Sequence, residues 1–363
     1  MSFKTQLAAV RRALILLALV LDLPGLARAV RRLTRTPETE AIRIGDANMA
    51  VVRPSGSGPW PAYVFVNGAH PERRREPVVQ RLTEGLARAG FLVFVPDPPG
   101  LAEGAITPAT LDGVIDVMQA AIQHQDVAGG RAAVLGASTG ASLALLAAAD
   151  PDLSDRVSVV VAVTPFADLE KIVCLATTRT YEQNGSSASY VVNDLLRDGV
   201  IRSLVASVSD ERDRHRLLEL PAPLADTNLE AWRTCLPELK PDAQAVVRLL
   251  LNEDPARFRE LYGELPSDVR ATIKRLSPVS AAAMVTGPVE LVVPPRDEYF
   301  PHGEVVALAG GLANVRVTVT PTLDHTRPSA SLKNLGSFLR FCRFVVRGLA
   351  TAAPSEGPRQ PRR

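Results

Sequence analysis

One serine in this chain stands where a hydroxyl can be made reactive. In "VLGASTGAS" the residues Gly136-Ala137-Ser138-Thr139-Gly140 form a G-x-S-x-G pattern between a predicted strand, "RAAVLGAS", and a predicted helix, "GASLALLAAAD". The spacing has a steric origin. A sharp strand-to-helix turn holds the serine in a strained conformation, and small residues two before and two after it let strand and helix approach. The turn lifts the hydroxyl above the carboxyl end of a sheet, beside the free N–H groups of a helix N-terminus. The bland alternative is an incidental turn in a chain rich in small residues. The strand before and the helix after favour the nucleophile.

A serine hydroxyl is a weak nucleophile without a base, and the chain has five histidines. His325, in "TLDHTRP", follows the last predicted strand, on a loop from which an imidazole can reach Ser138. His70 follows a strand and His302 follows a loop proline, and these two are the next candidates. His124 ends a helix, and His215 lies in the charged, solvated stretch "DERDRHR". The base needs an orienting carboxylate. Asp297 follows the strand "VELVVPP" and precedes His325 by 28 residues, giving the chain order Ser, Asp, His. Asp168, in "TPFADL", is the alternative acid, and its more modest role is to cap a helix. Asp324 faces solvent or fixes the loop beside His325, and Glu298 points away. Charge developing on a carbonyl oxygen calls for two N–H donors. Thr139, just after the nucleophile, supplies one. Ala69, in the loop "NGAHP" where Gly68 permits close backbone approach, supplies the other.

The elements that must position these residues alternate. "AIRI" and "MAVVRP" flank Gly45-Asp46, a hairpin signal. "AYVFV", "FLVFVPD", "RAAVLGAS" and "VSVVVAV" are apolar runs of the kind found in buried parallel strands. Between them lie the amphipathic helices "VVQRLTEGLARAG" and "TPATLDGVIDVMQAAIQHQ". This predicts an α/β fold with a mostly parallel central sheet and helices on both faces. From Phe166 the alternation stops and helix signals dominate, with "SYVVNDLLRDGVIRSLVASV" the first long one. Strands return with "VELVVPP" and "NVRVTVTP", and the helix "SLKNLGSFLRFCRFVVRGL" closes the fold. The expected organisation is an N-terminal apolar and basic helix over residues 1–38, one core over 39–165 and 285–350, a helical cap over 166–284, and a disordered, Pro-rich tail over 351–363.

With nucleophile elbow, late acid and last-loop histidine in place, the chain resembles the α/β-hydrolase superfamily over roughly residues 40–350. "VNGAHPE" occupies the position of the family's "HG" loop, with Asn67 in place of His. "FVPDPPG" matches its "PDxxG" segment. "PVELVVPPRDEYFP" matches its acid-bearing segment, with Pro294 where Gly is usual. Within the superfamily the chain is similar to bacterial serine esterases and dienelactone-hydrolase-like members. It differs from the branches with an Asp nucleophile and from dienelactone hydrolases proper, which use Cys. The resemblance implies an ester or thioester hydrolase working through an acyl-enzyme on Ser138, with no metal or organic cofactor and a small-molecule acyl substrate. An acyltransferase with the same triad, a non-catalytic ligand-binding protein on this fold, and a membrane-surface lipase are the other readings.

Composition agrees with a globular enzyme. The 363 residues are 46% hydrophobic and 22% charged, and 41 basic against 39 acidic residues leave a net charge of +2. No global field favours nucleic acid, and none is expected as a partner. Cys174, Cys235 and Cys342 lack paired spacing and read as free thiols. At the N-terminus "ALILLALVL" follows Arg11 and Arg12 and is interrupted by Asp22, too short to span a bilayer. Three readings stand: a basic amphipathic helix touching a membrane through residues 1–35, a cleaved secretory signal, or a helix packed on the protein itself. Location is accordingly membrane-associated or cytoplasmic.

Overall fold

Runs of Val, Phe, Tyr and Leu assemble the central sheet of this computed structural model, which describes residues 3–44, 47–70, 72–183, 186–224, 226–329 and 335–353. The strands are β1 (Glu38–Ile44), β2 (Ala47–Arg53), β3 (Trp60–Val66), β4 (Leu92–Asp97), β5 (Val127–Ala137) and β6 (Val157–Val163), then, after a small separate hairpin of β7 (Thr180–Gln183) and β8 (Ser186–Ser189), β9 (Val289–Val293) and β10 (Val315–Val319). Across the sheet the order is β1-β2-β4-β3-β5-β6-β9-β10. β1, β2 and β4 pair antiparallel, and every pairing from β4 to β10 is parallel. The turn signal at Gly45-Asp46 lies outside the described residues, but the strands it separates pair with Ile44 opposite Ala47.

The helices are α1 (Phe3–Val20), α2 (Pro24–Leu33), α3 (Pro77–Arg88), α4 (Pro108–Gln123) and α5 (Thr139–Ala148). Seven follow between β6 and β9 among the described residues: α6 (Leu169–Thr178), α7 (Asp194–Ala206), α8 (Glu211–Glu219), α9 (Asp226–Cys235), α10 (Pro241–Leu250), α11 (Pro255–Glu264) and α12 (Ser267–Arg275). The chain closes with α13 (His302–Gly311) and α14 (Leu335–Ala352). Period-two alternation divides the sheet's side chains between two apolar layers. Ala62, Val64, Phe94, Val134 and Ala162 face α4, α5 and the inserted helices. Tyr63, Phe65, Val93, Leu135 and Val161 face α1, α3 and α14. Burial on both faces explains why these strands read as unbroken apolar runs.

Three expectations need correction. The helix predicted from Ser189 begins at Asp194, because the Asn193 side chain accepts from the Leu195 N–H and fixes the helix start there. Residues 180–189 form the β7–β8 hairpin instead, an element that helix-dominated patterning does not foresee. Residues 351 and 352, expected to open the disordered tail, belong to α14, which runs through Ala352. The remainder of that tail, residues 354–363, lies outside the described residues, as does the beginning of the last predicted helix, residues 331–334.

The N-terminal segment packs on the core. α1 buries Ala9, Ala13, Leu16, Leu17 and Leu19. Gly85 of α3 makes room for it, since a Cβ there would lie 2.8 Å from Leu16 Cδ1. Arg12 stacks over the Phe91 ring at 5.1 Å. Arg31 of α2 forks onto Glu84 at 2.9 and 3.1 Å, and Arg88 reaches the same carboxylate at 2.8 Å. Burial alone would raise the Glu84 carboxyl, but these two guanidinium groups hold it below its ordinary value. No helix among the described residues is long and apolar enough to cross a membrane.

Candidate active site

β5 is a central strand, and its last residue, Ala137, leads directly into the turn at Ser138. Ser138 has φ 54° and ψ −127°, a left-handed conformation that a non-glycine residue adopts only under surrounding constraint. The two flanking glycines supply that constraint. A Cβ on Gly136 would meet the Gly140 carbonyl oxygen at 2.4 Å, and one on Gly140 would meet the Asn67 oxygen at 2.2 Å. The Ser138 N–H donates to the Val163 carbonyl at 2.9 Å, locking the turn onto β6.

His325 sits in the two-residue loop between β11 (Leu323–Asp324) and β12 (Arg327–Pro328), a small antiparallel hairpin beyond β10. Its own φ is 48°. The fold brings His325 Nε2 to 2.9 Å from Ser138 Oγ. On the other side of the ring, His325 Nδ1 lies 2.8 and 3.0 Å from the two Asp297 carboxylate oxygens. Asp297 is itself held: its Oδ1 accepts from the N–H groups of Tyr299 at 2.7 Å and Phe300 at 3.0 Å. The Tyr299 ring lies 4.2 Å from the imidazole and fixes its plane. Ser138, His325 and Asp297 thus form one hydrogen-bonded chain at the carboxyl edge of the sheet.

The other candidates stand elsewhere. Asp168 does not reach His325. It caps α6, accepting from the Glu170 N–H at 3.0 Å, so the more modest of its two expected roles is the one its position permits. His70 lines the cleft and accepts the Glu72 N–H on Nδ1 at 3.3 Å. His302 is the exposed first residue of α13. His124 ends α4 against the Phe94 ring, and exposed His215 pairs with Glu219. Asp324 is exposed beside His325.

The expected N–H donors show one departure. The Thr139 N–H is in the first turn of α5, where the helix offers it no carbonyl. The Ala69 N–H, in contrast, donates to the Thr139 hydroxyl at 3.0 Å. Gly68 lets this loop come close: a Cβ on it would lie 3.1 Å from both the Ala137 oxygen and Ser138 Cβ.

Two residues of the site carry no sequence motif. Tyr190, just after β8 in the insertion, donates its hydroxyl hydrogen to the Asp297 main-chain carbonyl. Burial and the neighbouring Asp297 and Glu298 charges push that phenol up to about 12. Glu304 of α13 is fully buried and accepts the Ala167 N–H at 2.7 Å, the Asp168 N–H at 2.8 Å and the Tyr181 hydroxyl at 2.9 Å. Burial pushes its carboxyl above the ordinary value, and the three donors offset part of that shift. An acid inside the apolar helix "HGEVVALAGG" is the one sequence signal that marks it. Above the triad opens a cleft of about 270 Å³, floored by Ser138 and walled by Phe166, Leu169, Ile172, Leu196 and Val200, so the insertion forms its apolar side.

This sheet order, with a serine on the sharp turn after a central strand, is the α/β-hydrolase fold. The chain belongs to the alpha/beta hydrolase family, whose model matches residues 63–331. No curated protein sequence matches it significantly. Among solved structures, dipeptidyl peptidase 4 of Porphyromonas gingivalis superposes with a TM-score of 0.51 at 13% identity, over 90% of this chain and 37% of the peptidase. Est1E from Butyrivibrio proteoclasticus gives a TM-score of 0.48 at 16% identity, over 86% of this chain and 99% of that one. The 2,6-dihydroxy-pseudo-oxynicotine hydrolase gives 0.47 at 16%, over 93% and 76%. At these identities the likeness is one of fold.

Proposed function

We propose that the protein is a serine hydrolase that cleaves a carboxylic ester or thioester through an acyl-enzyme on Ser138. The observation that carries this reading is the unbroken chain from Ser138 Oγ through His325 to Asp297, at 2.9 and 2.8 Å. His325 Nε2 takes the Ser138 proton as Oγ attacks the carbonyl carbon. The oxyanion that forms is held by the Thr139 N–H and, once the Thr139 hydroxyl gives way, by the Ala69 N–H. His325 then gives its proton to the leaving alcohol or thiol. A water, deprotonated by the same imidazole, attacks the acyl-enzyme and releases the acid. Asp297 keeps the Nδ1–H tautomer and stabilises the imidazolium. The scheme calls for no metal or organic cofactor.

The apolar wall from Phe166 to Val200 supports a substrate with a hydrocarbon group of moderate size. A fluorophosphonate probe tests the reading. The wild type is expected to label and to hydrolyse chromogenic esters, with labelling abolished and turnover reduced by roughly four orders of magnitude or more in Ser138→Ala. A folded wild type that neither labels nor turns over any ester of the series overturns it. Products formed with an added alcohol or thiol separate hydrolysis from acyl transfer.

A further inference from the structure

On the face of the sheet opposite the helical insertion lies a second cavity, of about 130 Å³. Its walls are hydrocarbon: Leu17 of α1, Leu82 of α3 and Val345 of α14 stand over Leu135 and Val161 of the sheet. Polar groups gather at one end, where Asn67, Glu76, Thr326 and Arg327 stand, and these four residues together with Ala137 also line the catalytic cleft. The two spaces therefore share a wall at the carboxyl ends of β3 and β5, one residue from Ser138. At that wall the Arg327 guanidinium lies 3.7 Å from the Glu76 carboxylate. Arg327 is 70% exposed and Glu76 only 15%, so the arginine can swing outward into water while the carboxylate stays.

Away from that polar end a polar guest would find few partners, whereas a hydrocarbon chain would lie against apolar side chains. An apolar cavity of roughly 150 Å³ in another protein admits a benzene ring, so about six carbons is the scale of guest that fits. We infer that this cavity is a second hydrocarbon subsite of the enzyme, besides the apolar wall of the catalytic cleft. A linear chain of about six carbons passes the Glu76–Arg327 pair and lies beneath α1 while the scissile carbonyl sits at Ser138. This rests on the hydrolase reading for the identity of the ligand and adds its class, a medium-chain ester.

The test separates binding from chemistry. In the Ser138→Ala protein, calorimetry compares ethyl hexanoate, hexyl acetate and ethyl acetate. The first carries the chain on the acyl side and the second on the alcohol side. Each buried methylene is worth about a fourfold gain in affinity, so one of the long esters should bind on the order of a hundredfold more tightly than ethyl acetate. Which of the two does so identifies the side that enters the cavity. Leu82→Phe and Val345→Phe fill the space from opposite walls at part-exposed positions, and each should bring that ratio to within about fivefold. A thermal midpoint at or above that of the parent shows that they fold, and Val345→Leu is the milder filling should Phe not be accepted. With Ser138 present, the same filling should erase the chain-length preference in kcat/KM. Chain binding that filling abolishes, in a folded enzyme that neither labels with the fluorophosphonate nor hydrolyses any ester, keeps the subsite and overturns the hydrolase reading. No chain preference in the Ser138→Ala protein, or an undiminished preference in folded filled variants, overturns the subsite whatever the hydrolysis shows.

Discussion

Three side chains separated by up to 187 residues meet within hydrogen-bond distance, and what holds them there is mostly backbone. Asp297 is fixed by two N–H groups and His325 by a two-residue loop, while Ser138 is fixed by glycines that cannot be replaced without collision. The acid's role is the most readily isolated. Asp297→Asn preserves the shape but favours the wrong imidazole tautomer, and kcat is expected to fall by about 10⁴ in steady-state ester hydrolysis with little change in KM. Tyr190 acts through Asp297 rather than on substrate. Tyr190→Phe removes one hydrogen bond, and kcat should drop by roughly three- to tenfold while fluorophosphonate labelling of Ser138 persists. Because burial and the neighbouring carboxylates push its phenol up to about 12, this tie holds across the working pH range. The convergence of these three side chains could be anticipated from the sequence because each obeys a local rule: a steric pattern for the serine, a strand end for the acid, a last loop for the base. Tyr190 and Glu304 obey none, since the partners that hold them lie more than a hundred residues away.

Among the elements, α6 is the point where the insertion leaves the sheet, and its first turn is anchored on Glu304 of α13. Folding buries that carboxyl and raises its pKa. Between the unfolded value of about 4.3 and the raised folded value, the folded protein binds more protons than the unfolded chain, so stability falls as pH rises through that window and then levels. Glu304→Gln removes the titration. Urea denaturation from about pH 4 to 8 should show wild-type stability declining relative to the variant as pH rises. The parallel strands could be read from their short apolar runs, and the crossover helices from amphipathic periodicity. The β7–β8 hairpin could not, although Asn184-Gly185 between its strands is a hairpin signature; the helical signals on either side dominate that stretch. The Glu290–Arg347 pair, a carboxylate on β9 forked by a guanidinium of α14 at 2.7 and 2.9 Å, was also beyond pattern reading. A charge in a strand that is otherwise Val and Leu gains its meaning only from the helix that covers it.

For the whole molecule, the consequential finding is that α1 is part of the core. Leu16, Leu17 and Leu19 are each less than a tenth exposed. At about 2 kcal/mol for each buried leucine, they contribute on the order of 6 kcal/mol, comparable to the net stability of a typical domain. Deleting residues 1–22 should therefore yield a protein that is insoluble, or whose urea midpoint falls sharply. The apolar and basic content of this segment suits membrane contact, signal and packing alike, so the contacts of α1 at Gly85 and Phe91 could not be read from it.

The position of β10 at the end of the sheet has a consequence for behaviour at high concentration. Its sequence, Val-Arg-Val-Thr-Val, is rich in residues that favour strand addition, and Val317 and Val319 are exposed. Arg316 is the single charge interrupting this border, and single charges at such borders discourage intermolecular strand docking. Arg316→Val should leave hydrolysis intact yet raise light scattering steeply with protein concentration, marking this guanidinium as a guard of colloidal solubility rather than of the fold.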